Sequence, residues 1–165
     1  MEKRVRTPKN NLNKEKVTNH DTMVHINHVR KFINKFIREL INRGEDHDQS
    51  KMKEPELPIF MEFTPRLSTA EYNSKEYKKF LEDMKPALDH HYLNNTHHPE
   101  HYENGIDEMS LIDLLEMLAD WKSSTLRSKN GNLRKSLEVN KERFNISDQL
   151  FNILNNTIDI LEEEK

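Results

Sequence analysis

The chain has 165 residues, of which 33% are hydrophobic and 33% are charged; this length and composition fit one domain with a modest core. The formal net charge is only -3, which argues against a protein built mainly to bind nucleic acid. No apolar run approaches the roughly 20 residues of a membrane-spanning helix, and no signal-peptide pattern follows the basic start. We therefore expect a cytoplasmic protein, and the absence of cysteine is consistent with that compartment.

Charge is unevenly distributed along the chain. Six lysines and arginines fall within the first sixteen residues, whereas the end reads Glu162-Glu163-Glu164-Lys165. Such runs are usually solvated, so we predict a basic, flexible tail over residues 1–17 and one helical domain over residues 18–165. A phosphate-attracting arm is the alternative for the tail.

The spacing of apolar residues predicts an all-α fold of about six or seven helices. Apolar residues recur at intervals of three and four, and only three glycines and six prolines interrupt the chain. The first helix is predicted over 21–43, with Gly44 at its C-cap. Its apolar stripe includes Val29, Ile33 and Phe36, and His25 lies on the same stripe and should face inward.

Further helices are predicted in chain order. A short helix or turn is expected over 54–63, because prolines surround it. A helix over 74–94 carries His91 on its apolar face, and a polar loop over 94–107 follows. Ser110 caps a helix that ends near Ser124, with Asp120 on its polar side. Two more helices are predicted over 133–144 and 147–163.

Histidines and carboxylates form a possible metal-ligand set. The pair His47-Asp48 can place an imidazole and a carboxylate on one ion, and five histidines fall between His90 and His101. Either feature taken residue by residue is also typical of a solvated surface. Asp120 shares a helix side with Asp113 and Glu116, a grouping that usually means a wet acidic face. Lys51 follows Asp48 by three residues and could hold a phosphate oxygen.

The order of these residues resembles the HD superfamily of helical metal-dependent phosphohydrolases, in which the ligands run His, His-Asp, Asp. The segment HDQSK is similar to the His-Asp-x-x-Lys box of the HD-GYP phosphodiesterases, although the Gly-Tyr-Pro tail is absent. HINHV, HDQSK, HHYLNNTHHPEHY and EMLADW together look like a family of small uncharacterised HD-like proteins from bacteria and phages. This resemblance spans about residues 21 to 160.

The resemblance implies a site of one or two divalent transition-metal ions. Imidazole and carboxylate ligands suit Fe, Mn, Co, Ni or Zn. Phosphoester hydrolysis by a metal-activated water is the implied reaction, on a nucleotide or other small phosphorylated substrate. Asp48 and Lys51 would serve catalysis, and Lys51, Lys122 and Arg127 would bind the substrate. The implied metal ligands are His25, His47, Asp48, His91, His97, His98 and Asp120.

Two other functions are compatible with the same residues. A di-iron oxygenase could use the same six-ligand pattern, and a non-catalytic binding or interaction protein could retain such a metal site. We expect neither a membrane nor a nucleic acid as a partner. The sequence leaves both a monomer and an oligomer open.

Overall fold

The structure is a computed structural model that describes residues 9–70, 74–127 and 130–162. All regular secondary structure in these ranges is helical, which confirms the all-α prediction. The α-helices are α1 (Lys9–Asp46), α2 (Glu56–Thr69), α3 (Lys75–Asp83), α4 (Lys85–Asn94), α5 (Leu111–Thr125), α6 (Leu133–Arg143) and α7 (Asp148–Glu162). Short 3₁₀ helices cover Gln49–Met52, Pro99–His101 and Gly105–Glu108.

The chain divides into two compact units, Met1–Asn42 and Arg43–Lys165. In the described part of the first unit, a single element, α1, is present. The predicted domain boundary after residue 17 falls inside this helix, and residues 1–8 of the predicted tail lie outside the described residues.

The first helix differs from its prediction at both ends and in its burial. It begins at Lys9 and continues through Gly44 to Asp46, so Gly44 is not its C-cap. A lone helix has no neighbour within its own unit on which to bury an apolar stripe. Accordingly Val29 and Ile33 are exposed, as is His25, although the sequence predicted that all three face inward.

The core of the second unit lies between α5, α6 and α7. Its buried apolar side chains are Ile106, Leu114, Met117, Leu118, Leu133, Leu137, Ile146, Leu154 and Ile158. Burial of each large apolar side chain contributes about 1.5–3 kcal/mol. The start of α5 is fixed by a capping box, in which the Ser110 hydroxyl accepts from the Asp113 backbone and the Asp113 carboxylate accepts from the Ser110 backbone. The predicted cap at Ser110 is therefore confirmed.

The second unit departs from the predicted elements at two places, and proline explains the first of them. The helix predicted over 74–94 is divided at Met84 into α3 and α4. Pro86 sits in the first turn of α4, where its missing N–H is tolerated but cannot continue the hydrogen-bond ladder of a preceding helix. The helix predicted over 54–63 runs instead from Glu56 to Thr69, with Pro65 inside it.

Within the described ranges, no helix combines the length and the apolar character needed to cross a lipid bilayer.

Candidate metal centre

The His47-Asp48 pair occupies the sharp turn that follows α1. Asp48 has φ 58° and ψ 11°, a left-handed conformation that few non-glycine residues adopt and that aspartate tolerates better than most. The chain then enters the 3₁₀ helix Gln49–Met52. Residues held in such sparsely populated conformations cluster at functional sites, and this turn brings the two side chains toward residues of α4 and α5.

The Asp48 carboxylate lies at the centre of the site. Its Oδ1 atom is 3.1 Å from His91 Nε2 and 3.7 Å from His97 Nε2. Its Oδ2 atom is 3.6 Å from His47 Nε2 and 2.6 Å from Lys51 Nζ. Burial by itself raises the pKa of Asp48, but the nearby His91 and Lys51 outweigh it and hold the pKa below its usual value. The carboxylate is therefore ionised at neutral pH. Its Oδ1 atom faces His91 and His97, and its Oδ2 atom faces His47 and Lys51.

Two buried side-chain atoms in the described part of the chain have no hydrogen-bond partner, Asp48 Oδ1 and His97 Nε2; the 3.1 Å approach of His91 Nε2 to Asp48 Oδ1 does not form a hydrogen bond. Buried polar atoms are nearly always paired, because an unpaired one costs about 1–3 kcal/mol. These two atoms face each other at 3.7 Å, which is too far for a hydrogen bond. A cation that contacts both atoms would satisfy them together, so the site fits a bound metal.

His91 and His98 also face each other through their ring nitrogens. Their Nε2 atoms are 3.0 Å apart. Burial, together with the neighbouring His97 and His91, lowers the pKa of His98 to about 3. His98 is therefore neutral at pH 7, and a neutral imidazole is the form that binds a metal.

Three groups of side chains among the described residues could hold an ion, and the ligand atoms within each group lie within 4.8 Å of one another. They are Asp48 with His91, His97 and His98; His47 with Asp48 and Asp120; and His47 with His97 and Glu116. Asp48 belongs to the first two groups, so its carboxylate could join two ions.

Glu116 is better explained as a hydrogen-bond acceptor than as a ligand. Its Oε1 atom is 2.8 Å from His47 Nδ1 and 3.0 Å from His97 Nδ1. An ionised carboxylate cannot donate, so both Nδ1 atoms must carry the proton, which leaves both Nε2 atoms free for an ion. Arg43 Nε donates to the other oxygen of Glu116 at 2.5 Å, and Arg43 Nη2 donates to Asp113 Oδ1 at 2.6 Å. One carboxylate thus orients two imidazoles.

Glu56 plays the same part for His91. Its side chain is 0% exposed, and its Oε2 atom accepts from His91 Nδ1 at 3.0 Å and from Ser50 Oγ at 3.0 Å. His90 Nδ1 lies 2.7 Å from Glu56 Oε1. Since a buried charge is tolerated only when it is well bonded, these contacts also keep Glu56 in place. His91 Nε2 consequently points toward Asp48.

The structure brings together most of the predicted ligands. The groups contain His47, Asp48, His91, His97, His98 and Asp120. Asp120 does not lie on a wet acidic face: Asp113 is 5% exposed, and the Glu116 side chain is 9% exposed. His25 is in none of the groups found in the described residues. It belongs to the first unit, and its role as a ligand stays a prediction.

A cleft of about 740 Å³ adjoins the ligand groups and includes His98 and Asp120 in its lining. Among the described residues, its lining includes two cationic side chains, Lys135 and Arg143. Lys122 and Arg127, which the resemblance associated with the substrate, are not among the lining residues. Lys51 instead pairs with Asp48 and lies 5.4 Å from the centre of the Phe60 ring.

The family model described as "Family of unknown function (DUF5662)" matches residues 14–160. The chain belongs to this family. No curated protein and no solved structure matches it. For this DUF5662 member the matched range contains every residue of the three ligand groups and the whole lining of the cleft. Because the family description assigns no activity, function has to be argued from the site.

The sequence did not reveal the residues that orient the ligands. The grouping of Asp113, Glu116 and Asp120 at helical spacing was visible, but it also describes an ordinary solvated helix face. Arg43, which bonds Asp113 and Glu116 and so distinguishes this grouping from a solvated face, is about seventy residues away along the chain. Glu56 carries no sequence signal at all, since a glutamate in the first turn of a helix is expected from the helix dipole alone.

Proposed function

We propose that this protein is a metal-dependent phosphohydrolase of the HD type, which hydrolyses a nucleotide or another small phosphoester. The observation that carries the proposal is the sharing of Asp48 between two ligand groups, one with His91, His97 and His98 and one with His47 and Asp120. A carboxylate between two ions is the arrangement used by binuclear phosphoesterases. The two unpaired buried atoms support a bound ion independently of any resemblance.

The donor set favours a transition metal. Every candidate ligand is an imidazole or a carboxylate, which suits Fe, Mn, Co, Ni or Zn. His47 and His97 are fixed by Glu116, and His91 is fixed by Glu56, so the three rings are oriented before an ion arrives. Metal-binding histidines typically donate their other ring N–H to a carboxylate in this way.

The residues around the ligands fit phosphate chemistry. When bound, the ions supply Lewis acidity and a nucleophilic water near neutral pH. Lys51, held beside Asp48 at 2.6 Å, places an ammonium group where it can hold a phosphate oxygen and stabilise the charge that develops during transfer. The cleft lined by His98 and Asp120 gives a substrate access to this end of the site.

Elemental analysis of the untagged protein, followed by a phosphoester panel with the metal that is found, tests the proposal. We expect one or two transition-metal ions per chain and turnover of at least one phosphoester. Both should be lost in the double variant His47→Ala, Asp48→Ala. His101→Gln is the matched control, because His101 lies in the same histidine-rich segment but in none of the ligand groups.

Other results would replace the proposal by a defined alternative. Iron with a redox-dependent spectrum and no phosphoester turnover would indicate the di-iron oxygenase. Bound metal without turnover of any substrate would indicate the binding protein. A folded protein that contains no metal and takes up none would remove the enzyme hypothesis altogether.

A further inference from the structure

The cleft beside the candidate metal centre is lined mainly by α5 and α6, with Tyr77, Tyr92 and residues 98–100 completing its lining. One wall is formed by Asp120, Trp121, Ser124 and Thr125, which follow one another along one side of α5. The other wall is one face of α6 and its cap, because the lining residues there recur at intervals of three and four. These residues are Asn132, Lys135, Ser136, Val139, Asn140 and Arg143.

The two ends of the cleft can be identified from contacts between its walls. The Trp121 and Phe144 rings are stacked, with centroids 6.2 Å apart, so the C-terminal end of α6 lies beside Asp120. Gly131 packs against Thr125, where a Cβ atom would overlap the Thr125 carbonyl. The N-terminal end of α6 is therefore the end of the cleft remote from the ligand groups.

The two cations of the cleft are separated by eight residues of α6, which corresponds to about 12 Å along the helix. Arg143, at the near end, bonds Glu100 at 2.8 Å and lies 4.6 Å from the centre of the Phe144 ring. Lys135, at the remote end, has no side-chain partner among the described residues. Its ammonium group is thus available to a ligand, whereas the Arg143 charge is already compensated.

Polar groups surround Lys135, and apolar groups separate it from the ligand end. The Asn132 side-chain oxygen accepts from the Lys135 backbone N–H at 2.9 Å, so the Asn132 amide N–H groups remain available as donors. Ser124 and Ser136 also line the cleft. Val139 lies about one turn of α6 from each of the two cations and is 61% exposed, whereas Trp121 follows Asp120 at the ligand end. A cation with neighbouring donors binds an anion, and the middle suits an apolar or planar group.

We propose that the remote end of the cleft, at Lys135, binds a second anionic group of the substrate. The preferred substrates would be phosphoesters in which an apolar or planar group joins the scissile phosphate to a further phosphate or carboxylate and is long enough for that second anion to reach Lys135 from the candidate metal centre. This inference rests on the proposed phosphohydrolase function for the identity of the near group. It assigns to Lys135 the selection of one substrate class over simple monoesters.

Binding of model compounds tests this inference. Linear alkanediol bisphosphates of graded length are compared with alkyl monophosphates and ω-carboxyalkyl phosphates of matching length, using both metal-free and metal-loaded protein. Trp121 is the only tryptophan of the chain and lines the cleft, so its fluorescence reports occupancy; calorimetry measures the same affinities independently.

We expect the bisphosphate of best length to bind about tenfold more tightly than its monophosphate, the gain of one charge-assisted hydrogen bond. In Lys135→Met this ratio should fall to about one. Lys141→Met is the matched control, since Lys141 is on α6 but pairs with Asp148 outside the cleft; its ratio should equal that of the wild type. If the ω-carboxyalkyl phosphates bind as tightly as the bisphosphates, Lys135 belongs to a general anion site. If they bind more weakly, the site prefers phosphate.

Equal affinity for mono- and bisphosphates in the wild type would overturn the inference, as would an equal loss in Lys135→Met and Lys141→Met, or no binding of any bisphosphate. These outcomes are separate from the fate of the proposed function. Selective binding without hydrolysis would reject the phosphohydrolase and keep the anion site. Hydrolysis of monoesters without any preference for bisphosphates would keep the phosphohydrolase and reject the anion site.

Discussion

The two ends of the α5–α6 cleft are built in opposite ways. At the ligand end, His91 and His97 are 1% and 2% exposed, and each ring is held by a buried carboxylate. At the remote end, Lys135 is exposed and has no side-chain partner among the described residues. The first arrangement holds each ring by hydrogen bonds to a carboxylate, whereas the second leaves the ammonium group solvated.

The difference fits the roles proposed for the two ends. Buried polar groups are costly unless they are fully bonded, so a buried site is worth keeping only where geometry decides the outcome, as it does for metal ligands. Recognition of a remote anion tolerates a long, solvated side chain, because only charge and reach matter. Substitutions at the buried end should therefore have the larger effects.

The largest expected effect is that of Glu116→Gln. Glutamine has the size of glutamate but no charge. Its one oxygen can accept either from His47 and His97 or from Arg43, and its amide NH2 group cannot accept in place of the second oxygen. We expect metal affinity to fall about 10- to 100-fold, the usual loss when a carboxylate that orients metal-binding histidines is changed. Competition with a chromophoric chelator measures this change.

Glu138→Gln, an exposed site on α6, is the control for Glu116→Gln. The thermal midpoint of the metal-free protein separates a positioning role from a structural one, because only the former leaves the midpoint nearly unchanged while metal affinity falls. Unchanged metal affinity in Glu116→Gln would mean that the two imidazoles are oriented by something else.

Glu56→Gln should have a smaller effect, because Glu56 orients only one of the candidate ligands, His91. A glutamine could keep one acceptor oxygen on the His91 Nδ1–H and turn its amide toward His90. We expect a loss in metal affinity near the lower limit, about tenfold. The same chelator competition measures it, with the exposed neighbour Glu54→Gln as control. A larger loss than in Glu116→Gln would reverse the proposed ranking of the two carboxylates.

The helices were predictable because their information is local. The cap at Ser110 and the stripes of α5 and α7 lie within single segments, so spacing alone locates them. The division of the predicted 74–94 helix at Met84 also had a local signal, Pro86. The continuous apolar pattern nevertheless favoured one helix in the prediction.

Of the candidate site, only the candidate ligands were predictable. His47, Asp48 and the later histidines stand out by residue type and order, whereas Glu56, Glu116 and Arg43 are ordinary residues until the fold brings them together. The exposure of the α1 stripe could not be predicted for a different reason. Amphipathic spacing shows that a helix has an apolar face but not what covers that face.

The smallest effect among these substitutions should be on stability, in Asp113→Asn. Burial by itself raises the pKa of Asp113, but hydrogen bonds from Ser110, Thr96 and Arg43 outweigh it and lower the pKa from 3.8 to about 2. A carboxyl group with a lowered pKa in the folded state stabilises that state above the pKa of the unfolded chain, and the contribution disappears as the pH falls through the folded value. The asparagine keeps one acceptor oxygen for these donors, so at neutral pH the variant should be less stable by only about 1 kcal/mol.

Chemical denaturation of the wild type and the Asp113→Asn variant between pH 7 and pH 2.5 measures this difference. The gap between their free energies of unfolding should be constant above about pH 5 and should narrow as the pH approaches 2, because the protonated Asp113 of the wild type then resembles the asparagine. Asp107→Asn, at an exposed position nearby, should show no such narrowing. A gap that stays constant down to pH 2.5 would mean that the carboxylate charge at position 113 does not stabilise the network around Arg43, and that the buried end of the cleft depends on shape rather than on charge.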